Sequence, residues 1–167
     1  MIRRIALMSI LLAAVVSAAC SNGDTGGNGG NGGVTGIVSP TWITAQQVGE
    51  TVSIPKGDLD SGKMLHFQVA YQNSDIAFMA YKLGGDYYVR ANVCPPCGSI
   101  GFSLDGDTLV CDSCRTRFSA STGVGISGAC VNYPKDDVAY EVSGASLTME
   151  MDDLVTAYGN TLSPGLP

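Results

Sequence analysis

Residues 94–118 read CPPCGSIGFSLDGDTLVCDSCRTRF. Two Cys-x-x-Cys pairs, Cys94/Cys97 and Cys111/Cys114, flank an Asp105-Gly106 dipeptide. An Asp-Gly between strand-like runs predicts a tight hairpin. Each cysteine pair then falls where a strand ends in a turn, with Pro95-Pro96 and Asp112-Ser113 inside the turns. The 13 residues between Cys97 and Cys111 are enough for the hairpin to bring the second pair opposite the first. Four sulfurs meeting at one point make a tetrahedral pocket suited to zinc, a single iron or an iron–sulfur cluster. Gly98 and Gly101 allow close backbone passage beside the sulfurs.

The rival reading is a pair of disulfides, and it depends on the compartment. Arg3 and Arg4 precede an apolar run from Ile5 to Val16, too short to span a bilayer comfortably, and Ser17-Ala18-Ala19 has the small residues of a cleavage site. Residues 1–19 therefore read as an export signal. Because Cys20 follows at once, the segment resembles a bacterial lipoprotein signal, although Ser17 stands where leucine is usual. That resemblance implies lipidation of Cys20 and an extracytoplasmic, membrane-anchored protein. Disulfides are natural in an oxidising compartment. Yet six cysteines less an acylated Cys20 leave an odd number, and bonds within Cys-x-x-Cys tend to be labile redox disulfides. Metal binding is the favoured reading and disulfides the alternative.

Residues 20–36 join the anchor to the rest as a Gly/Asn-rich tether with nothing large enough to bury. A Gly-rich coil of about 15 residues spans on the order of 20 Å. Residues 37–160 fit one domain with one core, and residues 161–167 read as a tail. With the leader removed, 7 basic residues face 15 acidic ones, a net −8, which argues against nucleic acid as a partner. Neither a phosphate-binding glycine loop nor a Ser/His/Asp set is visible, so the reading favours a protein that is not an enzyme by itself.

The domain reads as mainly β. Thr51–Ile54, Leu65–Val69, Ile76–Tyr81 and Tyr87–Val93 are strand-like, with Gly84-Gly85-Asp86 turning the last two into a hairpin. A further hairpin turns near Ser143-Gly144, between Val138–Val142 and Leu147–Met151. One short helix is expected over 152–158, with Asp152 as N-cap and Gly159 as its stop. Alternation puts Met64, His66 and Gln68 on a solvent face opposite Leu65, Phe67 and Val69, and puts one of Tyr87 and Tyr88 in the core. A soft copper site on His66, Met64 and Met79 is the minor reading of that face. Arg115 and Arg117 either offset thiolate charge or are simply exposed.

From about Trp42 to Leu154 the chain resembles a Rieske-type domain, through Ile54-Pro55, the tyrosine-rich strand into Cys94-Pro95, Leu109-Val110-Cys111, Phe118 and Thr122-Gly123. More specifically, CPPCGSIGF, VCDSCRTRF and SGACVNYP are similar to the FtrD-like membrane iron–sulfur-containing proteins, a family associated with iron uptake. The resemblance implies an antiparallel β sandwich or small barrel with one Cys-x-x-Cys on each of two loops. It implies Cys94, Cys97, Cys111 and Cys114 as ligands, with Cys97 and Cys114 in the places of the Rieske histidines. Four thiolates put more negative charge on a centre than two thiolates and two imidazoles, which lowers its potential. Cys130, in SGACVNYP, is an additional ligand, a reactive thiol or a small buried residue.

The expected role is electron transfer or metal handling in an iron-uptake or respiratory assembly, beside a membrane redox or iron-permease partner. Two alternatives stand: a thiol–disulfide redox protein, for which a βαβ context is missing, and a structural zinc module that presents a binding surface.

Overall fold

The computed structural model describes residues 36–165. The leader, Cys20 and all of the tether before Gly36 lie outside the described residues. Thirteen strands and two helices follow in chain order.

The central sheet is built from β2 (Pro40–Thr44), β5 (Met64–Tyr71), β6 (Ser74–Leu83) and β7 (Asp86–Ala91), in that order across the sheet. Gly84 and Gly85 turn β6 into β7 at positive φ, as a two-residue hairpin requires. β2 runs parallel to β5, with Trp42 opposite His66, an edge the sequence reading did not contain.

A second sheet, of β12 (Glu141–Ser143), β13 (Ser146–Glu150), β4 (Thr51–Pro55) and β3 (Gln46–Val48), packs on one face of the central one. Val52 and Ile54 of β4 meet Leu147 and Met149 of β13 and Leu65, Phe67, Ile76 and Phe78 of the central sheet in one core. Two helices close this core. α1 (Lys56–Asp60) inserts Leu59, and α2 (Met151–Leu162) inserts Met151, Leu154 and Ala157. Spaced three apart and followed four residues on by buried Thr161, these residues give the helix one buried face.

The third sheet carries the cysteines: β1 (Ile37–Val38), β8 (Phe102–Asp105), β9 (Thr108–Cys111), β10 (Arg117–Ser119) and β11 (Gly125–Ser127). It covers the other face of the central sheet through a separate core of Met64, Met79, Tyr81, Phe102, Leu104, Leu109 and Phe118.

The central sheet is thus buried on both faces, which corrects two expectations. Met64 and His66 are fully buried and do not face solvent. Tyr87 and Tyr88 are both half-buried, against opposite layers. The signal was present in Ile76–Tyr81, an unbroken apolar run, which is how a strand covered on both sides reads. The expected helix exists, but it begins at Met151, after Glu150 as N-cap, and passes through Gly159 to Leu162, two residues beyond the expected domain end at 160. Asp152 and Asp153 lie in its first turn, where the helix dipole favours acidic groups. Among the described residues no helix is long and apolar enough to cross a membrane.

Candidate metal centre

The two cysteine turns have the same hydrogen-bonded form. In the first, Cys94 N–H donates to Ser99 O (2.8 Å) and Gly98 N–H to Cys94 O (2.8 Å). In the second, Cys111 N–H donates to Thr116 O (2.9 Å) and Arg115 N–H to Cys111 O (3.0 Å). The residue after the second cysteine is left-handed in both, Gly98 at φ 69° and Arg115 at φ 59°. Glycine takes that conformation freely, whereas arginine takes it at a cost.

A third segment completes the site. After β11 the chain returns as a strap, 128–140, that brings Cys130 beneath the second turn. Cys130 N–H donates to Thr116 Oγ1 (3.2 Å), and the same oxygen lies 3.2 Å from Cys114 Sγ. Gly128 makes the approach possible: a Cβ there would stand 2.7 Å from Thr116 Cα, and its φ is 115°.

The sulfurs come together. Cys94 and Cys114 are 3.9 Å apart, Cys97 and Cys111 3.8 Å, and Cys114 and Cys130 3.7 Å. All five are free thiols. The set whose sulfurs all lie within 4.8 Å of one another is Cys94, Cys97, Cys114 and Cys130, with Cys111 joined to it through Cys97. A tetrahedral centre with metal–sulfur bonds near 2.3 Å has sulfur–sulfur edges of about 3.8 Å, so the donor set suits a thiolate-bound metal. Disulfide sulfurs would stand about 2 Å apart. Cys94, Cys111 and Cys130 are buried, while Cys97 is at the surface.

The five thiols do not share one acidity. Burial pushes Cys94 and Cys111 up from the ordinary thiol value. Cys114 is lowered to about 6: against a desolvation that raises it, hydrogen bonds from the Thr116 hydroxyl and backbone, and from its cysteine neighbours, hold the thiolate. Metal uptake at such a site releases protons.

Two cations are buried in this part of the domain, and sequence reading singled out neither. Arg90 on β7 donates to Tyr81 Oη (3.0 Å), Lys135 O (2.8 Å) and Ser121 O (2.8 Å), tying the strap to the central sheet. Lys135 is fully buried, and its Nζ donates to Val93 O (2.7 Å), beside Cys94. Burial lowers its pKa to about 8, with the charges of Cys94, Cys111, Cys130 and Cys97 pulling it back up. Of the two arginines flagged by the sequence, Arg117 pairs with Asp105 (3.1 Å) and Arg115 is exposed. His66 lies in the interior with both ring nitrogens unpartnered, and burial pushes its pKa down to about 4.

A family model described as membrane iron-sulfur containing protein FtrD-like matches residues 59–159. Among solved structures, a chain of the complex of reduced oxygenase and oxidized ferredoxin in carbazole 1,9a-dioxygenase is similar at 20% identity and TM-score 0.50, over 61% of this chain and 94% of that one. A Sphingomonas yanoikuyae B1 ferredoxin is similar at 22% identity and TM-score 0.41, over 50% of this chain and 83% of that one. No curated protein matches the chain. Both cysteine turns, Cys130 and Lys135 lie inside the matched span, and the chain belongs to the FtrD-like family of membrane iron–sulfur-containing proteins.

Proposed function

We propose that the chain is an extracytoplasmic, lipid-anchored electron carrier whose thiolate-bound iron centre serves a membrane iron-uptake or respiratory assembly. The observation that carries this reading is the convergence of five free thiols, four of them mutually within 4.8 Å. Cys94, Cys97, Cys111 and Cys114 are the ligands the two turns offer, and Cys130 competes with Cys111 for the fourth place. A bound iron or iron–sulfur centre would supply one-electron chemistry. The chain's own part is to hold the thiolates, bury Cys94, Cys111 and Cys130, and leave Cys97 at the surface, where a partner's centre can approach. Pro96 and Ile100 beside it are exposed and give that rim an uncharged contact surface.

Anaerobic purification followed by metal analysis and a visible spectrum tests the reading. Iron in stoichiometric amount, with absorption that bleaches and returns on reduction and reoxidation, is the expected result. A second reading is a structural zinc module, favoured by the tight grouping of the four sulfurs, which fits one ion without widening. Colourless protein with one zinc per chain selects it.

Anchoring has its own test. Buried acyl chains contribute about 0.8 kcal/mol per CH₂, and the tether adds almost nothing. Cys20→Ser should move the protein from the membrane to the soluble fraction; unchanged membrane association contradicts the anchor.

A further inference from the structure

Lys135 raises a question that the thiols answer. Its ammonium is entirely excluded from solvent, and among the described residues no carboxylate lies within ion-pair distance of it. It has three donors, one of which goes to Val93 O. The charge lies 4.6 Å from the centroid of Phe118 and 5.5 Å from that of Phe102. Ring faces and one carbonyl are weak compensation for a buried ammonium, which ordinarily requires an anion. Among the described residues the thiolates are the anions at hand in this core: Phe102 and Phe118 pack in the same cluster as Cys94, Cys111 and Cys130.

The placement is enforced by the backbone. Lys135 N–H donates to Gly123 O (2.9 Å), and Lys135 O accepts from Arg90 Nη1 (2.8 Å). Gly123 has a φ of 76°, and a Cβ there would stand 2.0 Å from Lys135 O, so only glycine admits the strap at this depth. Both main-chain groups of Lys135 are thus held, and its side chain is aimed inward beneath the first cysteine turn.

We propose that Lys135 is the built-in counter-ion of the cysteine centre, a positioning residue whose positive charge sets how tightly the thiolates hold a metal and at what potential an iron there is reduced. This rests on the thiolate-centre reading. Four thiolates leave a ferric site at −1 and a ferrous site at −2, so a neighbouring cation favours the ferrous form more and raises the potential. Losing that cation weakens binding of any divalent ion by removing the offset to thiolate repulsion.

Three substitutions in the full chain separate charge from shape. Lys135→Gln keeps a donor for Val93 O without the charge, Lys135→Met keeps the length, and Lys135→Arg keeps the charge. Each is titrated anaerobically with zinc ion against a chromogenic chelator, and the iron-loaded forms are poised potentiometrically. The expectation is a loss of zinc affinity of about 10- to 100-fold in the Gln and Met variants, with a more negative iron potential, and retention of both in the Arg variant. Failure of the Gln and Met variants to fold, with the Arg variant folded and metal-bound, supports the same conclusion. Wild-type zinc affinity and iron potential in the Gln variant overturn the proposal while leaving the metal centre standing, as does equal failure of all three variants to fold. A wild-type chain that binds neither metal overturns the centre itself.

Discussion

Thr116 is the side chain on which the cysteine site turns. It is fully buried, its Oγ1 accepts the Cys130 N–H and lies 3.2 Å from Cys114 Sγ, so one group both seats the strap and contacts the thiol of the second turn. With the folded Cys114 thiol at about 6 and its ordinary value at 9.0, the folded state binds fewer protons than the unfolded one between those values. The metal-free, reduced protein should therefore gain stability as pH rises from about 6 to 9 and lose that contribution as pH falls through 6. Thr116→Val should raise the Cys114 pKa, displacing the pH midpoint of its alkylation upward and flattening that gain. An unchanged alkylation profile contradicts the role given to Thr116. The two left-handed turn positions make a matched pair of tests. Gly98→Ala forces a Cβ into that region and should cost about 1 kcal/mol, whereas Arg115→Gly relieves the same strain and should be neutral or stabilising by up to about 1 kcal/mol. Chemical denaturation of the metal-free variants measures both, and a destabilising Arg115→Gly shows that the exposed arginine does something the fold does not reveal.

The hairpin between the cysteine pairs was legible because its signals are local: Asp105-Gly106 supplies the turn, and β8 and β9 pair across it from Phe102/Cys111 to Asp105/Thr108. The same holds for the β6–β7 and β12–β13 hairpins. What was not legible depends on contacts distant in sequence. β2 pairs in parallel with β5, and nothing in Pro40–Thr44 announces its partner. The strap carrying Cys130 and Lys135 has no repeating pattern; it is held by Arg90 on β7, by Val138 N–H to Val89 O (2.8 Å) and by Ala91 N–H to Asp136 O (3.2 Å). Spacing marked Cys130 as extra, but only the close approach at Gly128 places it among the four mutually nearest sulfurs. Gly128→Ala should push the strap away from Thr116 and lower metal affinity while leaving β5–β7 intact. Metal titration together with amide exchange on the central sheet checks this, and equal loss of protection in both regions contradicts it.

Two cores share one central sheet, and they differ in what holds them. The core under α2 is built on aliphatic and aromatic side chains, with Phe67, Phe78, Leu65, Ile54 and Leu147 all fully or nearly fully buried. The other contains Cys94, Cys111 and Cys130 and encloses Lys135, so on the proposed metal-centre reading part of its stability should come from metal binding. Chelation should loosen that half first, seen as lost protection in β8–β11 before β5–β7, and identical protection with and without chelator contradicts it. The burial of Cys94, Cys111 and Cys130 with a cation beneath them is reason to expect a bound ion in place of five loose thiols. X-ray absorption at the metal edge of anaerobically purified full-length protein tests this most directly. The expected result is a metal with four sulfur neighbours at about 2.3 Å and no nitrogen ligand. Protein free of metal, or a metal bound mainly by nitrogen and oxygen, would contradict it.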